Sequence, residues 1–412
     1  MDRATRQALR SFPPAMWVVV SGNFVNRFGG FVAPLLVLYV IRLGYSKTQA
    51  GLVLAAYGLG KLGSAFAGGV WTDRHGHRFV IITSMFSSAA MMLVMSALSD
   101  YRAILGATLL LGFASELFRP ATQALIAELS APENRITAFA LNRLAVNAGF
   151  AFGPALGGWL AHGSFFWVFA GNALTETIYG VLAWRALPAR FVRAPGVHAT
   201  DTPAGTWRDV LGDRRLLLFL AAIFPMTFIF MQATSSFALY TADCGLGSGE
   251  YGLLLSCNGV LIVVGELSLT GLTRRFSPAP VLMLGYLLLG VGFALGGFVH
   301  TFWPLAGTVV LWTLGEMISA PTQGAVLANM APDHLRGRYM GASGFLWSAA
   351  TIVGPWLGTT LYAWHPPALW WTAAGAGLAS AGAVRYALRP VRTPAADPNA
   401  GAFGDKGTRV SG

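Results

Sequence analysis

The sequence predicts an all-α integral membrane protein, with twelve transmembrane helices in two pseudo-symmetric six-helix bundles. Three observations predict it. The first is composition: of 412 residues, 55% are hydrophobic and 11% charged, and the mean hydropathy is +0.57. Soluble domains carry about 25% charged residues, and a soluble fold of this length cannot hide so much apolar surface. The second is the division of the chain into apolar runs long enough to span a bilayer. The third is an internal repeat that relates the two halves.

The twelve runs fall at 15–41, 49–70, 79–98, 103–127, 137–160, 165–187, 214–243, 249–272, 279–299, 303–328, 338–361 and 367–388. The longest polar connection, 188–213, separates an N-terminal bundle (1–187) from a C-terminal one (214–388). A polar tail, 389–412, reads as disordered and cytoplasmic. Arg3, Arg6, Arg10, Arg74, Arg78, Arg135, the run Arg185 to Arg215, Arg274, Arg275, Arg336 and Arg338 fall on one side. The other side holds only Arg42, Lys47 and Arg102. The positive-inside rule therefore places both termini and the central loop in the cytoplasm. The opening MDRATRQALRSFPPAM reads as a short basic cytoplasmic segment and not as a cleaved signal.

The net charge of +11 does not point to nucleic acid, because the basic residues sit in short loops between apolar runs. Cys244 and Cys257 are too few for a disulfide framework, and no Cys/His cluster suggests a metal or another cofactor. No nucleophile–base pair stands out, so the chain does not read as an enzyme.

The repeat is carried by polar and proline positions. Glu116, Thr122-Gln123 and Ala131-Pro132 match Glu316, Thr322-Gln323 and Ala331-Pro332 at an offset of 200. Arg135 and Gly153-Pro154 match Arg336 and Gly354-Pro355 at 201, as do Gly44, Gly51-Leu52 and Gly58 with Gly245, Gly252-Leu253 and Gly259. Two parallel six-helix repeats are the layout of a rocking transporter whose site lies between the halves near the midplane.

The loop after the second run reads GGVWTDRHGHRF. Its Gly69, Asp73, Arg74, Gly76 and Arg78 resemble the loop signature of the major facilitator superfamily, with a departure at His77. Gly69 permits close helix contact, Asp73 suits a helix N-terminus or a basic partner, and Gly76 allows a tight turn. The resemblance implies the major facilitator fold. It also implies that Asp73 packs against the other half when the cytoplasmic side is closed, with Glu128 placed to pair with Arg78. The second-half counterpart, Thr273-Arg274-Arg275, has lost the acid. In the fifth run, NAGFAFGPALGGWLA, the residues Gly149, Gly153, Pro154, Gly157 and Gly158 resemble the antiporter signature of the drug–proton exporter branch. Small residues four apart let helices pack closely, and Pro154 adds a bend.

Charges within the runs point to mechanism. Arg27, Lys61, Glu116, Arg119, Glu176 and Glu316 lie near run centres, and Arg143 and Glu266 lie nearer the cytoplasmic ends. An Arg at a bilayer centre costs roughly 2.5–3.5 kcal/mol on insertion scales, so such residues face a wet cavity or each other. Glu116 and Arg119 share a helix face that Gln123 extends, as do Asn23 and Arg27. By the resemblance, the first and fourth runs line the cavity, which brings Arg27 towards Glu116; the repeat sets Glu316 on the opposite wall. Lys61 and Glu176 either join the cavity or pair within the first half. Glu266 reads as structural, near Arg274. Trp312, Trp347, Phe113 and Tyr240 either line a pocket or serve packing. Asn23 to Phe28 also resembles the E-x-x-E-R-F motif of proton-coupled peptide symporters, but both acids are amides here, which argues against that class.

These readings converge on a monomeric, proton-coupled antiporter in a bacterial inner membrane. It exports small drug-like molecules by alternating access, its partners being substrate, protons and lipid. An uptake symporter or uniporter for a small, anionic metabolite or peptide is the alternative.

Overall fold

Each of the twelve apolar stretches is helical, with breaks in the first, fourth and seventh. The computed structural model describes residues 9–131, 134–188, 207–332 and 335–389. Among the described residues all regular structure is helical. The expected central loop and tail lie largely outside the described residues; the end of the former is a short helix. Eight of the stretches are long and apolar enough to cross a membrane. The four others are the helical stretches near 165–186, 302–330, 336–364 and 366–387.

The first stretch divides into α1 (Pro14–Phe28) and α2 (Val32–Arg42). At the break Gly29 has no room for a side chain, since a Cβ there would stand 1.7 Å from Thr175 Oγ1. The freed Val32 amide donates to Asn172 Oδ1 at 3.3 Å. Arg27 lies in the last turn of α1, where the helix dipole favours a cation. Then come α3 (Lys47–His75) and α4 (His77–Ser96). Between them Gly76 takes φ +84, which other residues rarely adopt, so the chain reverses almost without a loop.

The fourth stretch breaks at Leu117 into α5 (Tyr101–Glu116) and α6 (Phe118–Leu129). Pro120 has no N–H, and its ring conflicts with the carbonyl of Glu116 four residues back. Ser84 of α4 bridges the gap: its hydroxyl donates to Ala114 O at 2.5 Å and accepts from Phe118 N–H at 3.2 Å. Helices α7 (Arg135–Gly163) and α8 (Phe165–Ala186) complete the first half.

The second half opens with α9 (Trp207–Gly212) and α10 (Arg214–Phe230), followed by a 3-10 turn, Met231–Thr234, and α11 (Ser236–Asp243). Gln232 stitches that turn: Nε2 donates to Phe228 O and Gly354 O, each at 3.0 Å, while Oε1 accepts from the hydroxyls of Ser235 and Ser236. Asp213 caps α10 and accepts from the Tyr339 phenol at 2.5 Å. Partial burial pushes this carboxyl's pKa up, but its hydrogen bonds outweigh that and hold it below the ordinary value. Then follow α12 (Ser248–Thr273), α13 (Pro278–Gly296), α14 (Phe302–Met330), α15 (Arg336–Trp364) and α16 (Pro366–Ala387).

The halves meet through α3 against α15 and α7 against α12, and glycine sets the distance. A Cβ at Gly51 would stand 2.8 Å from Pro355 O, and one at Gly252 would stand 2.2 Å from Pro154 O. These two contacts are repeat mates. Gly58 abuts Thr351 and Gly259 abuts Ala151 in the same way. Towards the end that carries the α3–α4 turn the halves separate. A cavity of about 790 Å³ opens there, lined by Leu62 and Phe66 of α3, Leu217 and Phe224 of α10, and Gly344 and Phe345 of α15.

Glycines inside one half test this packing without touching the inter-half contact. A Cβ at Gly60 would lie 2.1 Å from Leu109 O, whereas one at Gly106 would meet nothing. Gly60→Val should destabilise the purified protein by roughly 1–3 kcal/mol through overpacking, read as a lower thermal unfolding midpoint in detergent. Gly106→Ala should not lower it.

Candidate functional site

Four charged side chains from four helices converge near the middle of the first half. Glu116, at the kinked end of α5, is 5% exposed. Its Oε1 lies 3.0 Å from Lys61 Nζ of α3 and 3.5 Å from Arg27 of α1, and its Oε2 lies 3.1 Å from Arg119 of α6. One carboxylate thus faces three cations. Their side chains are 31%, 28% and 55% exposed respectively, so Glu116 is the buried partner and the cations are partly open. Lys61 also lies 5.6 Å from the centre of the Tyr57 ring. Pairing is what allows these charges at this depth, since a buried ion without a partner is costly.

The glycines of α7 put Arg27 there. Cβ atoms at Gly149 and Gly153 would stand 2.7 Å from the backbone of α1 at Phe24 and Phe28, and that of Gly149 only 2.9 Å from Arg27 Cβ. The same helix turns Gly158 and the Pro154 carbonyl towards α12 of the other half. Gly157 seats Phe31.

Asn23 has a different job from Arg27, although the two are four apart. It is buried, donates to Asn142 Oδ1 at 2.6 Å and accepts from the Tyr179 hydroxyl at 3.3 Å. It pins α1 to α7 and α8. Glu176 of α8 is also buried; Asn172 Nδ2 donates to its Oε1 at 3.3 Å, and it forms no ion pair among the described residues. Lys61, not Glu176, is the residue that joins Glu116.

The second half presents a different chemistry. Glu316 accepts from Asn258 Nδ2 at 2.9 Å and makes no ion pair among the described residues. It borders two small cavities. One, about 70 Å³, is walled by Phe230, Tyr286, Gln323 and Trp347. The other, about 80 Å³, includes Arg143, Asn147 and Glu266 and so lies on the boundary between the halves. Arg143 of α7 pairs with Glu266 of α12 across that boundary. This corrects the expected pairing of Glu266 with Arg274. Trp347 lines the site, whereas Trp312 is buried against Phe230 and Phe293, Tyr240 against Trp370, and Phe113 meets Trp71.

The sequence profile of the Major Facilitator Superfamily matches residues 19–249 and 233–410. The chain belongs to that superfamily. It is a multi-pass membrane transporter of small molecules and not an enzyme. It is 27% identical over 351 residues to an uncharacterized MFS-type transporter, YqjV, of Bacillus subtilis (strain 168), covering 84% of this chain and 85% of the relative. It is 28% identical over 338 residues to the multidrug resistance protein MdtH of Edwardsiella ictaluri (strain 93-146), covering 79% of each. Among solved structures, the peptide transporter POT in complex with sulfate superposes at TM-score 0.77 with 16% identity, covering 94% of this chain and 98% of that one, which is a likeness of fold.

The superfamily's loop signature lies at the separated end. Asp73 and Arg74 are exposed and join no ion pair among the described residues, and a Cβ at Gly69 would meet nothing within 4 Å. The close contact expected of Gly69 is therefore absent from this conformation. Glu128 lies 3.7 Å from His77, not from Arg78, whose guanidinium donates instead to Trp184 O. At the opposite end a latch not foreseen from the sequence joins the halves. Lys47 Nζ stands 2.5 Å from Asp243 Oδ2, the Tyr362 hydroxyl donates to the same oxygen at 2.6 Å, and Lys47 lies 4.7 Å from the centre of the Tyr362 ring. Asn258 also went unforeseen. Its signal was available: an amide in an apolar run, to be weighed beside the charges.

Both latch ions are partly exposed, so the pair is worth about 1 kcal/mol at most. Lys47→Met should shift the ratio of conformers towards opening of this end by roughly fivefold. Spin labels at Leu43→Cys and Trp364→Cys, with Cys244 and Cys257 replaced by Ser, should report a larger population of long distances by pulsed electron resonance.

Proposed function

We propose that the protein exports small, drug-like organic molecules across a bacterial cytoplasmic membrane in exchange for protons. Two six-helix bundles, twelve spans in all, rock about the cavity between them. The observation that carries this reading is Glu316: a carboxyl group with no ion-pair partner among the described residues, bordering both small cavities at the boundary of the halves. A group so placed meets substrate and proton in one volume. Glu116 is the weaker proton carrier of the two repeat mates, because three cations already surround it. The antiporter-type glycines of α7 and the relative named as a multidrug resistance protein support export over uptake.

The positive-inside rule sets the α3–α4 turn and both termini in the cytoplasm. With that orientation the conformation is inward-facing: the latch closes the outer end and the apolar cavity opens the inner one. The loop signature, whose Asp73 and Arg74 are exposed in this state, is then the element that closes the inner end in the other.

In proteoliposomes carrying a pH-sensitive dye, substrates should drive proton movement opposite to their own flux. Glu316→Gln should abolish that proton movement while leaving substrate binding measurable. Proton flux in the substrate's own direction, or flux that survives the substitution, contradicts the antiport reading.

A further inference from the structure

We infer that the Arg27–Lys61–Arg119 triad is an anion-binding subsite, and that the molecules carried are organic anions: an apolar, aromatic body bearing one carboxylate or sulfonate. The inference deepens the transport reading above and rests on it for the word carried.

The charge balance leads to this class. Glu116 neutralises one of the three cations around it, which leaves a local charge of +2. Glu176, elsewhere in the same half, reduces this to +1 at most when ionised, so the wall is positive either way. Glu116 is used up by this pairing: it is the most buried of the four and sits behind the cations. A cationic molecule approaching this wall meets guanidinium and ammonium groups before it meets a carboxylate. An anion meets three donors at once, and an Arg fork is suited to a planar carboxylate.

The geometry favours a bound ligand over a closed clasp. Arg119 Nη1 reaches Glu116 Oε2 without hydrogen-bond alignment, leaving donors of its fork unused. More than half of the Arg119 side chain is exposed, and about three-tenths of those of Arg27 and Lys61. An added carboxylate therefore has open donors on three helices of one half. Aromatic surface is present in the second half, where Phe230 and Trp347, with ring centres 5.9 Å apart, wall the cavity at Glu316. Glu316 stays available there for the proton.

The test uses three naphthalene probes that share a body and differ in charge: 1-naphthoate, 1-naphthalenemethanol and 1-naphthylmethylammonium. Each is titrated calorimetrically into the full-length protein in phosphatidylcholine nanodiscs, with empty discs as the blank. Naphthoate should bind tightest. Arg119→Gln should raise its Kd about tenfold, the loss of one charge-assisted contact, and leave the neutral probe unmoved; Arg119→Lys should recover part of the loss. Tighter binding of the ammonium probe, no naphthoate binding at millimolar concentration, or an Arg119→Gln protein with unchanged naphthoate affinity each overturns the subsite. The order of the three probes on the unaltered protein decides the matter even where a variant does not fold. Because no gradient is present, naphthoate binding without proton movement in liposomes would defeat the antiport reading and leave the subsite standing. Proton-coupled export of the ammonium probe would do the reverse.

Discussion

The close approach of α7 to two neighbours at once is the constraint on which the rest of the structure depends. One side of its glycine row admits the backbone of α1 and the other admits α12. In lipid no hydrophobic force drives helices together, so contact distance itself governs their attraction. A side chain larger than hydrogen at Gly149 would push α1, and Arg27 with it, away from Glu116. A larger residue at Gly252 would lift α12 from Pro154 and part the halves. A single helix therefore fixes both where the charge sits and how the bundles meet.

That arrangement makes the interior electrically lopsided. The eight charges singled out within the runs, Arg27, Lys61, Arg119, Arg143, Glu116, Glu176, Glu266 and Glu316, sum to zero, yet they do not mix. The first-half wall gathers cations around one acid, whereas the second half keeps Glu266 bridged to Arg143 and leaves Glu316 with an amide partner only. Repeat symmetry governs the backbone here, in matching glycine contacts and a matching break in the first stretch of each half, but not the side chains that meet a ligand. Glu116 and Glu316 occupy equivalent places in sequence and differ in everything that surrounds them.

Much of this was legible before any coordinates. Long apolar runs have only one solution in a bilayer, because every backbone polar group must be satisfied within the segment. Helix at each of the twelve runs followed from that, eight of them long and apolar enough to cross a membrane, and the repeat was read from polar residues whose coincidence at one offset is hard to obtain by chance. The approach of Arg27 to Glu116 was legible only through the family's helix arrangement. What sequence hid were contacts between helices. Glu266 and Arg274 look close on paper, but eight residues of helix separate them by about 12 Å along the axis, while Arg143 stands beside Glu266 on another helix. Asn23 shares a face with Arg27, yet α1 is surrounded, and that position meets Asn142 and Tyr179. The partner of Glu128 was misjudged because His77 and Arg78, adjacent in the first turn of α4, point in different directions, and His77 turns towards it where Arg78 does not.

The two broken first helices of the halves are stitched differently, and this has a mechanical meaning. The α1–α2 break is tied by Asn172, a residue of another helix, so its angle answers to the position of α8. The α10–α11 break is tied chiefly by Gln232 from within the turn, with one strand of the knot running to Gly354 of α15. Asp243 rides at the far tip of α11, seven residues beyond Ser236 of that knot. The Lys47–Asp243 latch is thus mounted on a short helix that leaves a turn tied within itself by one carboxamide, that of Gln232.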